Sequence, residues 1–140
     1  MSASADCVFC KIVAGEIPAM TMLDTDHAYA FLDIAPLSEG HTLLIPKEHV
    51  VSFELMSGEA VARVLAELPR LVHAVASATA ADGYNILQNN GRVAGQVVDH
   101  VHFHIIPRRS GDGLGYRWNA GKYSEGRAEE LLGEIRKALP

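Results

Sequence analysis

The spacing of apolar positions divides the chain into short stretches of different period, and each period predicts an element. Residues 7–13 read as a short helix or turn that ends at Gly15. Residues 20–24 and 27–33 read as two strands around a turn at Thr25-Asp26. Residues 34–40, punctuated by Pro36 and Gly40, form a loop. Residues 41–45 are a buried strand stopped by Pro46. Val61, Val64, Leu65, Leu68, Leu71, Val72 and Val75 then recur at the spacing of one helical face. Ser57 suits the N-cap of this helix and Glu59 its first turn. Pro69 falls inside the pattern, removes a backbone donor and predicts a kink, and Asp82-Gly83 ends the helix. Residues 84–89 are the next strand, residues 90–96 a loop and residues 110–115 a Gly-rich stretch. Residues 124–139 read as a second, shorter helix with Leu131, Leu132 and Ile135 on one face. The sum is an α+β arrangement, an antiparallel sheet with one long and one short helix on one side.

Residues 100–106, His-Val-His-Phe-His-Ile-Ile, stand apart from these stretches. Alternation places His100, His102 and His104 on one strand face and Val101, Phe103 and Ile105 on the other. The apolar face buries into a core. The opposite face carries a row of imidazoles spaced roughly 6–7 Å apart. Imidazole serves as nucleophile, general acid or base, and metal ligand near neutral pH. A cluster of such groups marks a site. His73, by contrast, lies within the long helix and reads as a structural or surface residue.

Length and charge narrow the function classes. A chain of 140 residues suits a single domain, 1–140, and can bury a core without disulfide staples. No apolar run approaches the roughly 20 residues of a membrane span. Residues 1–6 lack the charged and apolar regions of a signal peptide, so the expected compartment is the cytoplasm. The formal net charge of −5, without a long basic run, argues against a nucleic-acid-binding surface. A small phosphate-bearing ligand in a local pocket stays open.

Cys7 and Cys10 are the two cysteines, in Cys-x-x-Cys spacing. Three readings compete. A redox pair needs a thioredoxin-like strand–helix context, which is not visible here. A disulfide is disfavoured in a reducing compartment. Half of a zinc site needs two more ligands. Just before the histidine strand, Asn89, Asn90, Gly91, Gly95 and Gln96 make a donor-rich loop. Glycines let a backbone approach a phosphate closely, and exposed N–H groups bind anions. A donor loop leading into a row of imidazoles suits phosphoryl or nucleotidyl transfer.

Residues 95–107, Gly-Gln-Val-Val-Asp-His-Val-His-Phe-His-Ile-Ile-Pro, resemble the signature of the histidine-triad (HIT) family, in which three histidines alternate with apolar residues. The likeness extends further, in order along residues 7–109. Residues 9–18 look like the N-terminal segment of Hint-type members, residues 30–36 like their ribose-binding turn, and residues 40–49 like their Gly-His strand with its Pro-Lys-x-His ending. The expected domain therefore has a core of about 7–109, followed by a C-terminal loop and helix, 110–140.

The resemblance implies a nucleotide hydrolase or transferase acting at the α-phosphate of purine nucleoside phosphoramidates or related conjugates. Dinucleoside polyphosphate hydrolysis also occurs in the family, and a nucleotide-binding protein with little catalysis is a further alternative. Family members are typically homodimers that join two half-sheets into one. By the same carry-over, His102 is the nucleophile that forms a nucleotidyl-histidine intermediate, released by water as an AMP- or GMP-type product. His104 and His41 contact the phosphate or adjust the protons around it. Asp33 accepts from the ribose hydroxyls, and Val8, Phe9, Ile12, Phe31, Leu32 and Ile34 line the base pocket. Asn89, Gly95, Gln96 and Val97 hold the phosphates. Val97 departs from the better-known Hint enzymes, which carry a hydroxyl residue there. Related galactose-1-phosphate uridylyltransferases hold a structural metal with a ligand set whose counterparts here are Cys7, Cys10, His49 and His100, so a structural zinc is expected, with none needed for the chemistry. Tyr116, Arg117 and Trp118 lie in a Gly-flanked loop and either reach the site or serve packing.

Overall fold

The structure is a computed structural model and describes residues 4–115 and 117–139. Its strands are β1 (Thr21–Asp24), β2 (Ala28–Leu32), β3 (Thr42–Pro46), β4 (Gly83–Gln88) and β5 (Phe103–Arg108). They form one antiparallel sheet in the order β1-β2-β3-β5-β4. β2 and β3 are buried along their whole length. Their alternation sends Ala28, Ala30, Leu32 and Leu44 to one apolar cluster and Tyr29, Phe31, Leu43 and Ile45 to another on the opposite face. Two covered faces explain why these strands read as continuous apolar runs.

Three helices, α2 (Gly58–Leu65), α3 (Leu68–Thr79) and α4 (Arg127–Ala138), close the first cluster. Ser57 caps α2 as expected, its Oγ accepting from the Ala60 N–H at 3.1 Å. The single kinked helix is corrected to two. Glu67 caps α3, so Pro69 occupies the second helical position, where a missing N–H loses no intrahelical bond. Proline therefore opens α3 instead of bending a longer helix. The C-terminal helix is not the shorter one, since α3 and α4 each have 12 residues. His73 is exposed on α3.

A further short helix, α1 (Val8–Val13), covers the opposite face of the sheet through Phe9, Cys10 and Ile12. The helices thus do not all share one side. Cys7 is the N-cap of α1, its Sγ accepting from the Cys10 N–H at 3.4 Å. β5 begins at Phe103, so His100 and His102 precede the ladder instead of lying within it. Their alternation persists because the Val101 N–H donates to Val50 O at 2.7 Å and keeps Val101 in the helix-side core with Phe103 and Ile105. β4 is an edge strand whose Tyr84, Ile86 and Leu87 are exposed. Among the described residues no helix is long and apolar enough to cross a membrane.

Candidate active site and metal centre

On the α1 side of the sheet the three triad histidines are all buried, and each ring has a different fixed partner. The His102 Nδ1–H donates to the His100 carbonyl at 2.7 Å. Its proton therefore sits on Nδ1, and the Nε2 lone pair stays free. The Phe9 ring meets His102 edge-on at 5.2 Å between centroids, which limits the imidazole's swing. His102 lines a cavity of about 320 Å³.

His41, immediately before β3, has its tautomer set from outside. The Leu37 N–H donates to His41 Nδ1 at 3.0 Å, so the proton lies on Nε2. From there it is donated to His104 Nδ1 at 2.9 Å. His104 must then carry its own proton on Nε2, as a donor. Burial is the leading reason these rings stay neutral: it lowers His41 to about 4 and His104 to about 3, and it lowers His102 as well. Burial also holds His100 near 4. Asp33 lies at the same cavity with one oxygen 3.7 Å from His41 Nε2. Its carboxyl is raised by burial, opposed by the Ala35 N–H that donates to Oδ1 at 2.9 Å.

Most of the expected nucleotide residues meet at this cavity. Val8, Phe9, Ile12, Phe31, Leu32, Asp33, Ile34, Gly95, Val97, His102 and His104 all line it. Ile34 and Val97 are largely exposed at its mouth. Asn89 instead lines a neighbouring cavity of about 700 Å³ on the same sheet face. Gln96 is not among the residues that line either cavity. Its buried carboxamide accepts from the Gly91 N–H at 2.7 Å and donates to Val51 O at 2.8 Å and Val98 O at 3.1 Å. Both N–H donors and one carbonyl lone pair of this side chain thus tie the loop to itself and to residue 51. Trp118 belongs with the site, its ring 4.9 Å from His104 and 5.7 Å from His41. Tyr116 lies outside the described residues.

Cys7, Cys10, His49 and His100 form a second cluster beside the first, their ligand atoms all within 4.8 Å of one another. Cys7 Sγ lies 3.3 Å from His100 Nδ1, and Cys10 Sγ lies 3.4 Å from His49 Nδ1 and 3.6 Å from His100 Nδ1. A tetrahedral zinc ion separates its sulfur and nitrogen ligands by about 3.5 Å, so the spacing fits. The chemistry fits too. His100 Nε2–H donates to Pro46 O at 2.8 Å, which leaves Nδ1 its lone pair and supplies the outer bond that orients a ligating imidazole. Asp33, His41 and His104 also gather within ligand range of one another, but they do not suit a metal. The His41–His104 contact is a hydrogen bond, and the Leu37 N–H keeps the His41 proton on the nitrogen that faces His104.

The HIT domain profile matches residues 14–111. The chain is 48% identical over 134 residues to the adenosine 5'-monophosphoramidase of Schizosaccharomyces pombe, covering 95% of this chain and 98% of that protein. It is 39% identical over 137 residues to an adenylylsulfatase of Arabidopsis thaliana, covering 96% of this chain and 70% of that protein. A zinc-bound histidine triad family protein from Mycobacterium smegmatis superposes with a TM-score of 0.84 at 39% identity, covering 96% of this chain and 93% of that one. Profile, sequence and structure agree that the chain belongs to the histidine-triad (HIT) family.

Proposed function

We propose that this protein hydrolyses nucleoside 5'-phosphoramidates and related nucleotide conjugates at the α-phosphorus, with His102 as nucleophile. The observation that carries the reading is the His102 Nδ1–H bond to its own strand at 2.7 Å, which leaves the lone pair of a neutral imidazole at the cavity. The nucleoside occupies the apolar cavity under Phe9 and Phe31, and Asp33 accepts from the ribose hydroxyls. Nε2 of His102 forms a bond to phosphorus as the P–N bond to the leaving amine breaks. The positive charge that develops on the imidazole is shared with the His100 carbonyl. His104 Nε2–H, backed by His41, donates to a phosphate oxygen as charge shifts there. Val97 offers no hydroxyl, so the departing amine takes its proton from water. A second water then releases the nucleoside monophosphate and restores His102.

Cys7, Cys10, His49 and His100 would hold a structural zinc with no open position, bracing α1 against the histidine strand. The exposed apolar side chains of edge strand β4 support a homodimer that extends the sheet across that edge. The family relatives named for phosphoramidate and adenylylsulfate cleavage support the substrate class.

The direct experiment is rapid-quench mass spectrometry of the intact protein with adenosine 5'-phosphoramidate. A nucleotidyl adduct is expected on the native chain and absent from His102→Ala. Hydrolysis at the native rate by folded His102→Ala would overturn the mechanism.

A further inference from the structure

The segment between β5 and α4 is tied to the loop of residues 33–41 that joins β2 to β3. Three ties connect the two. The Gly121 N–H donates to Pro36 O at 2.9 Å. The Arg127 guanidinium, at the start of α4, reaches both carboxylate oxygens of Glu39 at 3.1 and 3.2 Å. Beside that pair, the Gly40 N–H donates to the Tyr123 hydroxyl oxygen at 2.7 Å.

These ties are not equivalent. Glu39 is exposed, and an ion pair there holds little. Gly40 is buried and lies outside the β3 ladder, which begins at Thr42. A buried N–H needs an acceptor, and Tyr123 supplies it from a distant part of the chain. The Tyr123 ring packs against the helix-side core, so its oxygen is held from behind. Burial raises the phenol, which meets Gly40 as a neutral hydroxyl. The residue after Gly40 is His41, whose ring has a narrow task. It accepts the Leu37 N–H at 3.0 Å and presents its own Nε2–H to His104 at 2.9 Å. Both bonds depend on where the backbone sets that ring.

We propose that Tyr123 is a positioning residue for the reaction: its hydroxyl fixes the Gly40 backbone, and through it the His41 proton that directs His104 toward the phosphate. Tyr123 touches neither the substrate nor the reacting atoms, and its own proton is not transferred. This rests on the reading of His102 as nucleophile and His104 as phosphate donor. The plain alternative is that the hydroxyl only satisfies a buried amide. The two differ in what happens to the His41 proton when the hydroxyl is removed.

Tyr123→Phe keeps the ring and removes the acceptor. With adenosine 5'-phosphoramidate, kcat is expected to fall about ten- to a hundredfold, the scale of a small misplacement of catalytic groups. KM should change by less than about twofold, because the lost interaction acts in the transition state. In nitrogen-15 spectra of histidine-labelled protein, the His41 Nε2–H signal, identified by its absence in His41→Gln, should be present in the native chain and lost in Tyr123→Phe. Ile135→Val, which trims the same core from α4, is the control for lost stability and should leave both the signal and kcat in place. An intact His41 signal in folded Tyr123→Phe, or its equal loss in Ile135→Val, overturns the proposal. So does loss of the signal with kcat unchanged, since Tyr123 then serves the fold alone. The native chain gives a test that needs no variant: a Gly40 amide that exchanges with solvent as fast as in the unfolded chain overturns the tie itself. A native chain without hydrolysis, whose His41 signal still responds to Tyr123→Phe, sinks the reading of His102 and leaves the hold on His41 standing. Hydrolysis through a His102 adduct, with a His41 signal indifferent to Tyr123→Phe, does the reverse.

Discussion

Gly40 decides how β3 delivers His41, and replacing it isolates that role. Its φ is +91°, and a Cβ built there would lie 2.6 Å from Thr79 Cγ2, 3.2 Å from Pro107 Cγ and 3.4 Å from Val75 Cγ1. The Thr79 methyl cannot swing aside freely, because Thr79 is buried and its Oγ1 donates to Val75 O at 2.7 Å. Gly40→Ala therefore meets two penalties. A left-handed backbone costs an alanine about 1–2 kcal/mol, and overpacking a close-packed interior adds about 1–3 kcal/mol. Gly15 is the internal control, since its φ is +79° and nothing lies within 4 Å of its would-be Cβ. Gly15→Ala carries the backbone penalty alone. The stiffening of the unfolded chain by alanine is common to both and cancels. Urea unfolding is expected to show Gly40→Ala less stable than Gly15→Ala by about 1–3 kcal/mol. Adding Thr79→Ser, which removes the offending methyl, should return about 1 kcal/mol of that difference. Hydrolysis should fall with Gly40→Ala, because the next residue is the one that hands a proton to His104. Equal destabilisation by the two alanine substitutions would refute the packing argument.

Gln96→Ala leaves the Gly91 N–H and the Val51 and Val98 carbonyls without their partner, so the chain should lose about 1–3 kcal/mol of unfolding free energy. A raised KM with unchanged stability would instead assign Gln96 to phosphate binding. Stripping metal with a strong chelator should lower the melting temperature and expose Cys7 and Cys10 to a thiol reagent, and zinc should reverse both. Protein that carries no metal by elemental analysis yet melts identically with added zinc contradicts the metal centre. Acid should destabilise the fold from about pH 6.5 downward. His41 and His104, held near 4 and 3 by burial, stay unprotonated in the fold while the unfolded chain takes up protons, so stability is complete above 6.5, falls as pH drops, and levels off below the folded values. The groups facing this pair are Asp33 and His102, and His41→Gln should flatten the slope; an unchanged slope in that variant would exclude the pair as its source.

What could be read in advance was whatever depends on period. The alternation of residues 100–106 survives although the ladder begins only at Phe103, because Val101 keeps its place through Val50. The broken helix was not legible, since the apolar spacing runs unbroken across Ala66 and Glu67 and cannot distinguish a kink from a second start. Gln96 in a Gly-rich loop reads as a donor for phosphate, and its bond to Val51, 45 residues away, is not visible in that local pattern. Trp118 was undecided for a similar reason. Only closure of the loop after β5 brings its ring against His104. Tertiary partners, not local pattern, settle what each polar group is left to do.

That rule also separates three histidines that the strand pattern makes equivalent. In each, one ring nitrogen is committed and the other is thereby directed. His100 gives Nε2–H to Pro46 O, so Nδ1 faces Cys7 and Cys10. His102 gives Nδ1–H to the His100 carbonyl, so Nε2 is free for the cavity. His104 accepts at Nδ1 from His41, so Nε2 carries a donor. The commitments are linked through His100, whose ring belongs to the thiol cluster and whose carbonyl orients the next imidazole. A shift of that residue moves the acceptor of a 2.7 Å bond. The thiol cluster and the proposed nucleophile are thus two ends of one backbone unit, and a change at the cysteines is expected to reach His102 without crossing the cavity.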